Sequence, residues 1–432
     1  MSLLHKESYE CVVSDLDLTA LPPTQTSVEE ANIISLNPIS SITHGGPIEF
    51  LSIGSANHYR DPSDMFLALK CRVKKNNKED LDNTCRVALI NYLINTLFAQ
   101  VDVFLSGKKI TPSVATHAWR SIFEVLLNYG PDAKSTHLET SGFYKDTAGK
   151  MDNIDDTNLG FVARRIEDSK PFELYGKLHT DISFQNRYII NNVDMVVRLI
   201  RNSHSFCLIS DKLNNYELFI DSATLYLRQV KISAPMMLQH AMALEKATIK
   251  YPLTRVETVQ YTINQGLLIH SIDNVSSGVI PKRIVFGMVD SIASQGAYEK
   301  NPFNFKHFDI AQIQVTVDNS DVPFSPLDLN FDESSWLRAY YNMFSGLDRA
   351  GLDWGNDITK KDFKEGYGLY VFDLTPDKCY GEHFNVMKKG NLKLKLSFRK
   401  PTPSVISLFI YMEYDNVMEI TKARNVIFDY TV

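Results

Sequence analysis

The residues with the clearest potential for chemistry lie near the N-terminus, at Asp15-Leu16-Asp17-Leu18-Thr19. An apolar run followed by Asp-x-Asp-x-Thr is how haloacid-dehalogenase-type phosphohydrolases present an aspartate nucleophile and a general acid. Here only Cys11, Val12 and Val13 form the apolar lead, and Pro22-Pro23 follows where that fold needs room to continue. No alternating strand–helix pattern appears downstream, so the segment reads as part of a polar N-terminal arm. His204 and Cys207 are the nearest approach to a metal pair, and two ligands make no site. The five cysteines, Cys11, Cys71, Cys85, Cys207 and Cys379, show no CxxC spacing and no disulfide framework. Gly45-Gly46 is an isolated turn rather than a phosphate loop, and no GxSxG elbow occurs. The expectation is therefore no catalytic residue, no metal and no cofactor.

The densest basic run is Lys70, Arg72, Lys74, Lys75 and Lys78. It offers a contact for nucleic acid, but Glu79, Asp80 and Asp82 come directly after it, so it reads as the wet end of a strand. A net charge of -6 argues against a chain whose main work is coating nucleic acid. Asn274-Val275-Ser276 is a glycosylation sequon without a signal peptide to expose it to glycosylation. Residues 1–10 carry no apolar signal core, and the longest apolar stretch, Val87 to Ala99, is too short to span a bilayer. A soluble protein made in the cytosol, and kept there or carried to the nucleus, is expected.

A chain of 432 residues has room for two or three domains. Aromatic residues at 11% favour a β-rich fold, because flat rings fit pleated faces. Residues 1–40, rich in Ser, Thr, Pro and Asn, read as an arm. Helical spacing predicts helices at His117 to Tyr129, led by Trp119, and at Ser335 to Phe344, led by Trp336. Both Trp-bearing faces read as packing surfaces. A third helix is predicted over Ala234 to Thr248, with Ser233 at its N-cap, Pro235 in its first turn and Pro252 beyond its end. A shorter one is expected around Arg86 to Leu97.

The two halves repeat one order. Val101 to Leu105 alternates, turns at Ser106-Gly107, returns, and leads to the Trp119 helix. Ile313 to Val317 alternates, turns at Asp318-Asn319, returns, and leads to the Trp336 helix. A strand opening at Asn192 matches one opening at Asn391, in which Leu392, Leu394, Leu396 and Phe398 face one way. Each half closes on a long strand, Leu218 to Ile232 and Val405 to Tyr414. The predicted class is all-β with a few inserted helices, as two tandem sandwiches or jelly rolls. The expected divisions are an arm at 1–40, a first unit at 41–233, a linking helix at 234–250 and a second unit at 251–432.

Several ordered segments resemble the major capsid proteins of Polinton/Maverick elements and adintoviruses. They are Leu126 to Gly130, Tyr144 to Gly149, Lys300 to His307, Arg338 to Tyr340, Gly355 to Ile358, Phe372 to Asp377 and Arg424 to Tyr430. The resemblance covers roughly Ile48 to Tyr430. It implies a double jelly roll of two eight-stranded sandwiches and a homotrimeric, pseudo-hexagonal capsomer (a hexon). It further implies an icosahedral shell, a separate single jelly-roll penton partner at the vertices, and a place in the virion. Long loops such as Pro131 to Glu173 would form outer towers and trimer contacts. The competing reading is a domesticated or non-viral double β-sandwich that binds carbohydrate or protein.

Overall fold

Strand formation obeys the alternation. In Lys389–Phe398 the side chains of Leu392, Leu394, Leu396 and Phe398 are buried, while Lys395 between them is exposed. The computed structural model describes residues 5–429 except 43–44, 83–84, 212–214, 324, 354 and 379–382. Cys379 and Tyr430 lie outside the described residues.

In the first half the strands are β1 (Val28–Leu36), β2 (Ile48–Ser52), β3 (His58–Lys75), β4 (Phe98–Leu105), β5 (Lys108–Lys109), β6 (Phe172–Lys177), β7 (Met195–Arg201) and β8 (Tyr216–Ile232). They form two antiparallel sheets, in the orders β1-β8-β3-β6 and β2-β7-β4-β5. In the second half they are β9 (Ile249–Ile263), β10 (Ile269–Val279), β11 (Arg283–Asp290), β12 (Ile310–Val317), β13 (Ser320–Asp321), β14 (Leu369–Asp373), β15 (Lys389–Phe398) and β16 (Ile406–Ile420). Their orders are β9-β16-β11-β14 and β10-β15-β12-β13. Adding eight to each label of the first half gives the second half. Such a pair of four-stranded sheets is a jelly roll, and the chain contains it twice.

The hairpins repeat as well. Ser106 and Gly107 have φ of 46° and 78°, and Asp318 and Asn319 have φ of 48° and 67°. Left-handed backbone at both central residues is the two-residue turn whose twist suits paired strands. Short strands add to this frame. Leu327–Asp328 pairs with β12 and Val426–Ile427 with β16. Leu208–Ser210, Val87–Leu89 and Arg165–Ile166 make a small separate sheet.

The three longest helices among the described residues are α1 (His117–Asn128), α2 (Ala234–Leu244) and α3 (Leu337–Ser345). All of α1 up to Leu127 is buried, so it is a core helix rather than a half-wet one. The long helix of the linker ends at Leu244, short of the expected Thr248, and Ser233 occupies its N-cap without a side-chain hydrogen bond.

Three expectations are corrected. Within the segment expected to be an arm, Val28–Leu36 is a sheet strand, paired from end to end with β8. It is an edge strand with mostly exposed side chains, which removes the alternation that marks inner strands. Between Arg86 and Leu97, only Leu93–Thr96 is helical, and Val87–Leu89 is a strand. A run buried on all sides, its Asn91, Asn95 and Thr96 included, has no period that separates the two. The strand expected to open at Asn192 starts at Met195, because Asn192 is held at φ 57°.

Candidate functional site: the seam between the sandwiches

The residues singled out for chemistry do not converge. Asp15 and Asp17 are exposed, and Asp17 Oδ1 accepts from the Ala20 amide (3.1 Å) and the Thr19 hydroxyl (3.5 Å), a local turn. Ser14–Leu16 is a single 3-10 turn with no buried residue. His204 Nδ1 accepts from the Leu218 amide at 3.1 Å. Cys207 is fully buried, and burial pushes its thiol pKa up. Among the described residues no group of His, Cys, Asp and Glu is arranged to hold a metal, and no helix is long and apolar enough to cross a membrane. In the basic run, Arg72 pairs with Asp221 (2.7 Å), Lys74 with Asp80 (3.0 Å), Lys75 with Asp82 (2.7 Å) and Lys70 with Glu173 (3.9 Å). Asn274 lies within β10, and its carbonyl accepts from the Tyr261 hydroxyl.

The dense chemistry lies instead where the two sandwiches meet. Helix α1 wedges between them. Trp119 stacks on Phe409 of β16, with centroids 4.1 Å apart and planes at 13°. Phe123 meets Phe305 at 5.3 Å and Tyr411 edge-on at 6.2 Å. On the same helix, Arg120 Nε donates to Glu124 Oε1 at 3.0 Å, and Arg120 Nη2 lies 2.7 Å from Asp181 Oδ1. The other Glu124 oxygen contacts His179 Nδ1, and His179 Nε2 lies 2.8 Å from the Tyr92 hydroxyl. These side chains belong to the first half.

The second half completes the network. The Val256 amide of β9 donates to Asp181 Oδ1 at 3.3 Å. The Tyr411 hydroxyl of β16 reaches Glu413 Oε1 (3.1 Å) and Glu124 Oε1 (3.4 Å). Glu413 accepts from Arg283 Nη1 at 2.9 Å, and Arg283 Nε donates to the Gly346 carbonyl just beyond α3. Burial pushes the Glu124 carboxyl up, but the Arg120 guanidinium and the His179 hydrogen bond outweigh it, and the pKa falls to about 2. For Asp181 burial wins over Arg120, and its pKa is raised. His117, beside them, donates from Nε2 to Asn95 Oδ1 at 3.2 Å, and burial pulls its pKa down to about 3. Charges this deep stay put only where partners surround them.

A second group of ties joins the long first-half loop to the second half. Arg164 Nη2 lies 2.6 Å from Asp146 Oδ1, with both side chains 1% exposed. Asp146 Oδ2 accepts from Asn301 Nδ2 (3.1 Å), and its carbonyl accepts from the Tyr367 hydroxyl (2.8 Å). Asp152 accepts from the Asn301 amide and from Asn304 Nδ2, each at 2.9 Å. Lys145 reaches Asp362 at 2.8 Å, and buried Lys134 donates to the carbonyls of Leu126 and Asn356. Burial draws the Lys134 pKa down to about 7. At another point of the seam, Arg424 donates to the carbonyl and side chain of Asn191, both at 2.8 Å.

The seam gathers several of the segments that carry the resemblance. Asp146 sits against Asn301, Lys134 against Asn356, and Arg424 against Asn191. Of the other segments, Tyr340 donates to the Ile358 carbonyl and Asp373 Oδ1 accepts from Thr375, both within the second half. The loop Pro131 to Glu173 was expected to face neighbouring subunits. Its Lys134, Lys145, Asp146 and Asp152 are bound to the other half of their own chain. Sequence reasoning missed the network, although Arg120 and Glu124, four apart inside an apolar helix, were a visible signal.

No protein-family model matches this sequence. An uncharacterized protein of Caenorhabditis elegans is 21% identical over 423 residues, covering 95% of this chain and 99% of that protein. Among solved structures, the Sputnik virophage gives a TM-score of 0.66 at 12% identity, over 100% of this chain and 94% of that one. The PBCV-1 virus capsid gives 0.60 at 9% identity, over 96% and 99%. The mavirus major capsid protein gives 0.54 at 12% identity, over 100% and 96%. At these identities the likeness is one of fold, and it spans both halves: the chain has the double jelly-roll fold of viral major capsid proteins.

Proposed function

We propose that this chain is a major capsid protein, a structural subunit that builds an icosahedral shell as homotrimeric, pseudo-hexagonal capsomers. One observation carries the reading: a single chain repeats the same two-sheet order, and a buried charged seam fixes the copies side by side. Three such chains place six similar sandwiches around one axis, which suits six-coordinated positions while keeping three-fold symmetry. The end-to-end likeness to virophage and virus shell proteins supports it. The protein acts without catalysis, in the virion, with a single jelly-roll penton protein as its vertex partner and without strong direct binding to nucleic acid. The arm, the two units and the linking helix are the working parts of that subunit.

Polinton/Maverick or adintovirus origin is the finer reading. A relative matched along its whole length in an animal supports it, because such elements reside in host genomes. The same relative favours the second reading, a domesticated copy that binds carbohydrate or protein. Native mass and electron microscopy of the purified chain separate the two. Trimers and hexagonal capsomers or shells are expected. A monomer at every concentration, binding glycan as a discrete species, would overturn the capsid reading.

A further inference from the structure

Among the described residues the arm carries a set of largely exposed apolar side chains. Val12, Val13, Leu16, Leu18 and Leu21 are 61–89% exposed. Ser14–Leu16 is a 3-10 turn in the single chain; drawn out as extended backbone, the segment puts Leu16 and Leu18 on one side and Asp15 and Asp17 on the other. Lys6 is the only basic residue among Glu7, Glu10, Asp15 and Asp17, so residues 5–27 are acidic.

A cavity of about 450 Å³ opens at the end of the molecule from which the arm leaves. Ser27 and Val28 form part of its wall, with Met236 and His240 of α2 opposite. Tyr59, Tyr188, Ile190, Ile232, Ile249 and Tyr251 make it apolar, and Arg187 and Lys250 bring cations to it, Lys250 being paired with Glu419 at 2.8 Å. Tyr59 is hydrogen-bonded to His240 Nδ1 at 2.9 Å. Next to it, Leu238 and Met242 of α2 are 62% and 59% exposed.

We propose that this cavity receives the Asp15-Leu16-Asp17-Leu18 segment from a second copy of the chain. Leu16 and Leu18 fill the apolar floor, and the two carboxylates meet the Arg187 guanidinium at the mouth. The arm's own exit argues for a neighbour rather than itself. Gln25 clamps the strand start, accepting from the Val28 amide at 2.7 Å and donating to the Val28 carbonyl at 3.1 Å. Ser27 is pinned by the Ser233 amide at 2.9 Å. Pro22-Pro23 precedes this clamp and holds extended backbone, which opposes a tight return to the cavity at Val28. From Ser27 to Leu18 the extended chain spans roughly 30 Å, enough to reach an adjacent copy.

This inference rests on the proposed self-association into capsomers. The test places one diazirine-bearing side chain at position 18 of the full chain and mixes isotopically heavy and light copies under assembly conditions. Heavy–light adducts mapping to Tyr188, Met236 or His240 are expected. Assembled particles with adducts only within one copy, or with none at the cavity, overturn the inference and leave the capsid reading standing. A chain monomeric throughout overturns both. A second variant, Leu16→Ser with Leu18→Ser, alters side chains that are 70% and 88% exposed in the single chain. It should weaken assembly at least about tenfold, a change of about 1.4 kcal/mol; unchanged assembly by a folded variant also overturns the inference.

Discussion

Replacing Arg120 by Met tests the seam most directly. The substitution keeps the volume and apolar stem of the side chain and removes one charge from a site only 8% exposed. Glu124 would keep its His179 and Tyr411 contacts, but Asp181 Oδ1 would keep only the Val256 amide. Losing one partner of a buried pair costs about 3–5 kcal/mol, because the other charge is left in a poorly solvating place. Unfolding entropy near 2.1 cal/mol/K per residue gives about 0.9 kcal/mol/K for 432 residues, so Tm should fall by about 3–6 °C. The control is Arg72→Met, which removes an ion pair at the surface and should cost about 1 kcal/mol or less. Because burial already raises the Asp181 pKa, the variant relieves its misplaced charge by taking up a proton, and its deficit should shrink as pH is lowered. Denaturant titrations of both variants at two pH values measure this. A deficit no larger than that of Arg72→Met, or one independent of pH, would refute the account of the seam.

Other parts of the molecule give further expected outcomes. His117 is neutral when buried, with a pKa of about 3 against about 6.5 unfolded. Its contribution is fully present above pH 6.5 and is lost as pH falls toward 3. Stability should drop by about 2 kcal/mol between pH 7 and 5, and His117→Gln should flatten that slope in urea titrations. Trp119→Ala removes the ring stacked on Phe409 and should cost about 3–5 kcal/mol, splitting the calorimetric transition as the two sandwiches uncouple. Gly160→Ala would put a Cβ 2.6 Å from Asp146 Oδ1 and 2.8 Å from the Lys145 carbonyl, and should cost about 1–3 kcal/mol. Gly46→Ala, with nothing within 4 Å, should change thermal stability by no more than about 0.5 kcal/mol.

The repeated architecture was legible because its signals are local. Two-residue turns at Ser106-Gly107 and Asp318-Asn319 and the alternation of Leu392 to Phe398 depend on neighbours in the chain, so the residue types record them. The Trp119 and Trp336 helices announced themselves by spacing. The edge strand Val28–Leu36 did not, because its exposed side chains lack the inner-face pattern. Val87–Leu89 was hidden for the opposite reason, since burial on every side erases periodicity. The seam was the least legible part. Its members come from residues as distant as Arg120, Asp181, Arg283 and Glu413, and only packing brings them together. The resemblance segments marked several of its second group of ties without showing that they meet.

The seam has a mechanical consequence. A hinge needs a region with few buried contacts that opens at low free-energy cost. Between these sandwiches lie a stacked tryptophan and the hydrogen bonds by which Val256, Tyr411 and Asn301 reach the buried carboxylates of Asp181, Glu124 and Asp146, so bending the chain there would take partners from charges held away from water. The chain behaves as one stiff tile. Any closed surface built from it must take its curvature at the joints between tiles, where contacts are free to differ from one place to the next.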